Sequence, residues 1–309
     1  MIASAGESII DFTPITQNGK LKGFLVHPGG SPYNVAVGVA RLGAKVAFVG
    51  KLSNDMFGNL LINHLLENNV ETYFVARSNL PSALAFVTYE HGDALYTFRV
   101  SDSADVTLST QDLKIEQIHR QVGIFHFGSL ILGFSPAGNT ILELARGLQQ
   151  KAIITYDPNV RKDLIPSWHD YMENVMLAIQ IADILKISSN DIMHLGLELN
   201  DIIRFENRPP IIILTKGKDG CTFYSKDFQF DLPAVPVTIE DTIGAGDAFM
   251  AAILYKLSAM AITKDKLITY VKPKIWEEIL TFALKAAAVT CSKKGADPPT
   301  LSEINKIYP

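Results

Sequence analysis

Cysteine is nearly absent from this chain: among 309 residues only Cys221 and Cys291 occur, with no Cys-x-x-Cys spacing and no matched pair of histidines. That excludes a disulfide framework, argues against structural zinc, and suits a reducing compartment such as the cytoplasm. A basic cluster is also missing. With a formal net charge of -4 the chain offers no electrostatic footprint for nucleic acid or an anionic membrane, so the expected partners are small molecules. Neither a leader nor a membrane span is expected. Glu7 and Asp11 stand where a signal peptide would be basic and then apolar, and the apolar run from 248 is interrupted by Lys256 and Ser258. Two nucleotide fingerprints fail as well. "GAKVAFVGKL" at 43–52 spaces Gly43 and Gly50 too widely for G-x-x-x-x-G-K-[ST] and puts Leu52 where that loop has a hydroxyl. Gly244-x-Gly246 lacks the third glycine of a dinucleotide fold, because position 249 is Phe, and nicotinamide hydride chemistry loses its main support.

What the chain does have is a large apolar fraction, 48%, enough for a sizeable core. Strand-like stretches at 44–49, 122–127, 152–156 and 183–187 are each followed by a helical one, at 55–68, 137–150, 168–181 and 190–197. This alternation predicts an α/β fold, a mostly parallel sheet with helices on both faces, whose ligands lie beyond the carboxyl ends of the strands. Two segments break the rhythm. Residues 13–26, and the pair "SALAFVTY" and "ALYTFRV" joined by "EHGD", read as a small β lid, segments 13–26 and 83–100, inserted in a single domain over 1–309. "NRPP" at 207–210 reads as a loop before the strand "IIILT".

The densest chemistry lies in "DTIGAGDAFM", residues 241–250. Gly244 and Gly246 permit a tight turn and close approach of a ligand, and the apolar run 248–254 reads as a buried helix with Asp247 in its first turn. Free N–H groups of that turn attract an anion. The alternative is an ordinary loop entering a core helix, with Asp247 as its cap.

"GGSPYNVAVGVARLGAKVAFVGKLSNDMFG" at 29–58 followed by "DTIGAGDAF" at 241–249 resembles the two signature regions of the ribokinase/fructokinase (PfkB) sugar kinase family. "GESIIDF", "YDPNVR", "LTKGKDG" and "KKGADPPT" extend the similarity over nearly the whole chain. The resemblance implies a ribokinase-like three-layer fold with a β lid, and ATP-dependent transfer of phosphate to a sugar hydroxyl with Mg²⁺ and in some members K⁺. It makes Asp247 the general base and Gly244, Ala245 and Gly246 an anion hole, roles that phosphoryl transfer requires. It points to Asp11, Gly29, Gly30 and Asn34 for the sugar, with Arg99 and Arg161 as further contacts. It also points to Lys216, Gly217 and Gly295 for the nucleotide, and to Asp241 for a monovalent cation.

Local readings stand beside several of these. Asn34 is a candidate helix cap and Asp241 a turn former, while Gly220 suits the turn into "CTFYS". Many relatives have Asn-x-x-Glu where this chain has Ser188 and Asp191; Asp191 is then either a magnesium organiser through water or half of a capping box. Asp11 and "GGSPYN" resemble bacterial fructokinases, so fructose is the expected acceptor. The alternatives are 2-keto-3-deoxygluconate or another sugar or nucleoside of the family and, in a different class, a catalytically silent sugar- or nucleotide-binding regulatory protein. A homodimer through the lid is a further expectation, from its exposed edges.

Overall fold

A computed structural model describes residues 1–18, 20–90, 93–205 and 209–308. Its strands are β1 (Ile2–Ala5), β2 (Ile9–Gln17), β3 (Lys20–Gly29), β4 (Val46–Ser53), β5 (Val75–Ser78), β6 (Ala83–Glu90), β7 (Asp93–Arg99), β8 (Ile124–Gly128), β9 (Ile153–Asp157), β10 (Ile184–Ser188), β11 (Ile211–Thr215), β12 (Cys221–Tyr224) and β13 (Gln229–Leu232). The helices are α1 (Ser31–Arg41), α2 (Met56–Glu67), α3 (Ile115–Gln121), α4 (Ala137–Leu148), α5 (Trp168–Ile181), α6 (Ser189–Leu195), α7 (Leu199–Arg204), α8 (Ala245–Ala259), α9 (Pro273–Cys291) and α10 (Leu301–Ile307).

Nine strands make one sheet in the order β13-β12-β11-β10-β9-β8-β1-β4-β5. From β11 to β5 all neighbours are parallel, and β12 and β13 close one edge antiparallel. Side chains alternate between two cores, as the pleat dictates. Ile2, Ile124, Ile153, Ile184 and Ile211 face the layer of α1, α8 and α9, whereas Ala3, Phe125, Ile154, Leu185 and Ile212 face that of α4 and α5. Burial on both faces explains the unbroken apolar runs of these strands. The strand order reverses at β1, between β4 and β8, and places a crevice at the carboxyl ends of the central strands. Among the described residues no helix is long and apolar enough to cross a membrane.

The smaller sheet has the order β3-β2-β6-β7. It corrects the expected lid boundaries: the first segment runs from Ile9 to Gly29 rather than 13–26. Ile9 and Ile10 are buried and pair both with Gly29 and Pro28 of β3 and with Ala83 and Leu84 of β6. Two adjacent apolar residues and a Pro-Gly pair hide the alternation, and Pro28 is tolerated because β3 is an edge strand. The second expected segment, 83–100, holds β6 and β7, while His91 and Gly92 of "EHGD", like Asn207 and Arg208 of "NRPP", lie outside the described residues. One face of this sheet rests on α2, where Phe12 stacks on Phe86 and meets Phe24 and Phe57 edge-on. Asp55 ties the same junction: it caps α2 through Gly58 N–H and accepts both the N–H and the hydroxyl of Ser82, next to β6.

Candidate active site

Helix α8 can start where it does because Gly244 adopts a left-handed backbone, φ 76°, that disfavours other residues. Space demands glycine too, since a Cβ there would stand 2.8 Å from Ala296 of the "KKGADPPT" loop. The Ala248 N–H closes the first turn onto the Gly244 carbonyl, and the Ala245 N–H reaches the Thr242 carbonyl at 3.3 Å. Among the described residues, the N–H groups of Gly246 and Asp247 have no backbone partner, which leaves this helix end positive and able to bind an anion.

Asp247 does not cap its own helix. Its carboxylate turns inward to α1, where Oδ1 accepts from Ser31 Oγ at 2.7 Å and Oδ2 from Asn34 Nδ2 at 2.9 Å. Asn34 likewise lies within α1, whose cap position is Gly30, so neither capping alternative holds. Burial pushes the Asp247 carboxyl above the usual carboxylate range, opposed by the bonds from Ser31 and Asn34 and by the positive charges of Lys186 and Arg161.

Around Asp247 the structure gathers most of the residues expected for the sugar. Asp11 descends from β2, and a Cβ at Gly29 would lie 2.5 Å from its Oδ2, so the carboxylate needs that glycine. Gly30, at φ 108°, passes so near the Glu7 carbonyl that a Cβ would be 2.8 Å away. Burial raises the Asp11 carboxyl to about 6, with Arg161 pulling it down and Asp247 pushing it up, which places these groups within one another's fields. Arg161 is exposed at the rim and donates to the Val160 carbonyl. Arg99 is exposed at the end of β7 and donates to the Phe98 carbonyl; no hydrogen bond or ion pair joins it to Asp11 or Asp247.

On the other side of the turn, Asp241 forms a local turn, its Oδ1 accepting from Ile243 N–H, and also receives the Gly295 N–H on Oδ2 at 2.9 Å. Turn former and link to the Gly295 loop are thus the same residue. Lys216 directs its ammonium to Asp231 of β13 at 2.7 Å, and Gly217, at φ 57°, has open space around it. Gly220 serves the turn into β12, where a Cβ would collide with the Leu232 carbonyl. Asp191 forms the capping box with Ser188 and takes the Val160 N–H on its other oxygen, so both oxygens are occupied.

Lys186 and Asp157, near Asp247, escaped sequence reasoning. Lys186, buried in β10, pairs with Asp157 Oδ2 at 2.7 Å, and its Nζ lies 3.1 Å from where a Cβ at Gly246 would stand. With the Asp157, Asp191 and Asp247 carboxylates near it, the ammonium stays charged beneath the first turn of α8 despite burial. A lysine inside the apolar strand "ILKIS" was the available signal, because a buried strand tolerates that charge only when it is paired. Asp157 keeps its Oδ1 buried without a hydrogen-bond partner among the described residues.

The model of the pfkB family carbohydrate kinases matches residues 1–303. Fructokinase-1 of Zea mays is 37% identical over 319 residues, covering 98% of this chain and 96% of the relative. A fructokinase from Xylella fastidiosa, solved with bound ATP, superposes with a TM-score of 0.93 at 28% identity, over 99% of this chain and 97% of the other. The fructokinase of Vibrio cholerae O395, in a form with fructose, ADP and calcium ion, gives a TM-score of 0.85 at 25% identity over 99% and 97%, and a double mutant of it is known with potassium ion.

Proposed function

This chain belongs to the pfkB family of carbohydrate kinases, and from that membership we propose that it transfers the γ-phosphoryl group of ATP to a hydroxyl of fructose. The observation that carries the site assignment is Asp247, a buried carboxylate held beside the unpartnered N–H groups of its own helix start. The sugar oxygen forms the new bond to the γ-phosphorus as the bond to the β-phosphate oxygen breaks. Its proton passes to Asp247 and ADP leaves. The Gly244–Gly246 turn offers N–H groups to the charge on the moving phosphoryl group, and Lys186 beneath it adds a fixed positive charge.

Asp11, Asn34, Gly29 and Gly30 face the acceptor in this reading, with Arg161 and Arg99 at the rim and on the lid. A neutral ketose suits them better than 2-keto-3-deoxygluconate, whose carboxylate would meet Asp11 and Asp247. The intact base and turn also speak against a silent binding protein. Lys216, Gly217 and Gly295 line the nucleotide side, and Asp241 is the residue for a monovalent cation such as K⁺. For Mg²⁺ the fit is best at Asp157, whose bare buried Oδ1 is a hard oxygen donor, while Asp191, with both oxygens engaged, can act only through water. Bound with ATP, that ion would screen the phosphate charge. The free cysteines suit a cytoplasmic enzyme. The exposed Ile15, Leu21, Leu25 and Val26 of the lid suit pairing with a second copy.

Asp247→Asn tests the mechanism. The amide keeps size and hydrogen-bonding capacity but cannot take the proton, so turnover should fall by roughly 10²–10⁴, about 3–5 kcal/mol of barrier, with ATP binding retained. More than about a tenth of wild-type turnover would place the base elsewhere.

A further inference from the structure

Ser31 opens α1 but does not cap it, a position that Gly30 holds. Its hydroxyl instead crosses to α8 and donates to Asp247 Oδ1 at 2.7 Å, and the group is buried. Three residues on, along the same helix face, Asn34 donates to the other oxygen. We propose that Ser31 is a positioning residue for the transfer, forming with Asn34 a two-donor clamp that fixes the plane of the Asp247 carboxylate. The inference rests on the reading of Asp247 as the base.

Each carboxylate oxygen has two lone pairs and the clamp uses one on each, so Asp247 can receive the substrate proton without releasing α1. The clamp also favours the ionised form against burial, in the same direction as Lys186 of β10 and Arg161 after β9. Asp11 of β2 and Asp157 of β9 are the acidic groups that share a field with Asp247. None of these four is altered by Ser31→Ala, so a change in the titration of Asp247 reports the lost hydroxyl.

The experiment pairs two readouts on the full chain: the pH profile of kcat/KM with ATP and fructose, and ¹³C NMR titration of labelled aspartate, with Asp247 assigned through Asp247→Asn. In Ser31→Ala the Asp247 titration and the acidic limb of the profile should both move up by about one unit, a tenfold loss of activity on the acid side. Ser31→Thr should restore both. An unmoved titration in folded Ser31→Ala overturns the clamp and leaves the kinase reading intact. A titration that moves while the acidic limb stays put overturns the base assignment, and with it any part of Ser31 in the reaction.

Discussion

At the scale of single residues, burial governs the acids near the site. Glu7 follows β1, is wholly buried and leaves Oε2 without a partner among the described residues; burial lifts its carboxyl to about 7, the Ser129 bond opposes the rise, and the Asp105 charge adds to it. The folded pKa lies above the unfolded value of 4.5, so between these pH values the folded state holds a proton that the unfolded state has lost. The contribution of protonated Glu7 is therefore complete below the unfolded pKa and is lost as pH rises through about 7. Glu7→Gln, of the same shape and never charged, should be more stable than wild type near pH 8 and should flatten the decline in stability between about pH 5 and 8 seen by urea unfolding. An unchanged slope would mean that Glu7 is ionised in the fold. Residue types were legible where chemistry and glycine spacing coincide, as at Gly244, Gly246 and Asp247. They were illegible where the decisive partner is distant in sequence. Ser31 meets Asp247 only once α8 is placed against α1, and although "ILKIS" signals a paired lysine, its partner Asp157 is identified only when β9 lies beside β10.

At the scale of elements, the period of each apolar run foretold its type. Helix α5 occupies the expected 168–181, and the strand in "GAKVAFVGKL" appears as β4. The beginning of the lid was misread because Ile9 and Ile10 serve the main core and the small sheet together, so their pattern follows neither period. Farther out the lid behaves differently: Leu21 and Leu25 are 56% and 54% exposed on the edge strand β3, with Ile15 and Val26 also exposed nearby. An exposed apolar edge of this kind invites pairing. Wild-type protein should sediment as a dimer, and Leu21→Ser with Leu25→Ser should shift it toward monomer with its fold intact by circular dichroism, since neither side chain is buried within the single chain. A monomeric wild type, or a double variant that dimerises as well as wild type, would rule out this surface.

At the scale of the whole molecule, the three-layer architecture was legible from alternation, but strand order was not. The site depends on that order. Asp11 arrives from the lid, Asn34 from α1, Lys186 from β10 and Asp247 from α8, and only the reversal of the sheet at β1 gathers segments so far apart in the chain at one crevice. Arg41 extends the coupling: at the far end of α1 it holds the Asp297 carboxylate and the Pro298 carbonyl of the loop that carries Gly295, so the helix that bonds Asp247 through Ser31 and Asn34 also braces that loop. The central claim is phosphoryl transfer from ATP to a neutral ketose, and its most direct test is the rate of ADP formation with Mg²⁺ across a panel of neutral and acidic sugars. Fructose should give the highest kcat/KM; a clear preference for 2-keto-3-deoxygluconate, or ADP release that no sugar stimulates, would contradict it.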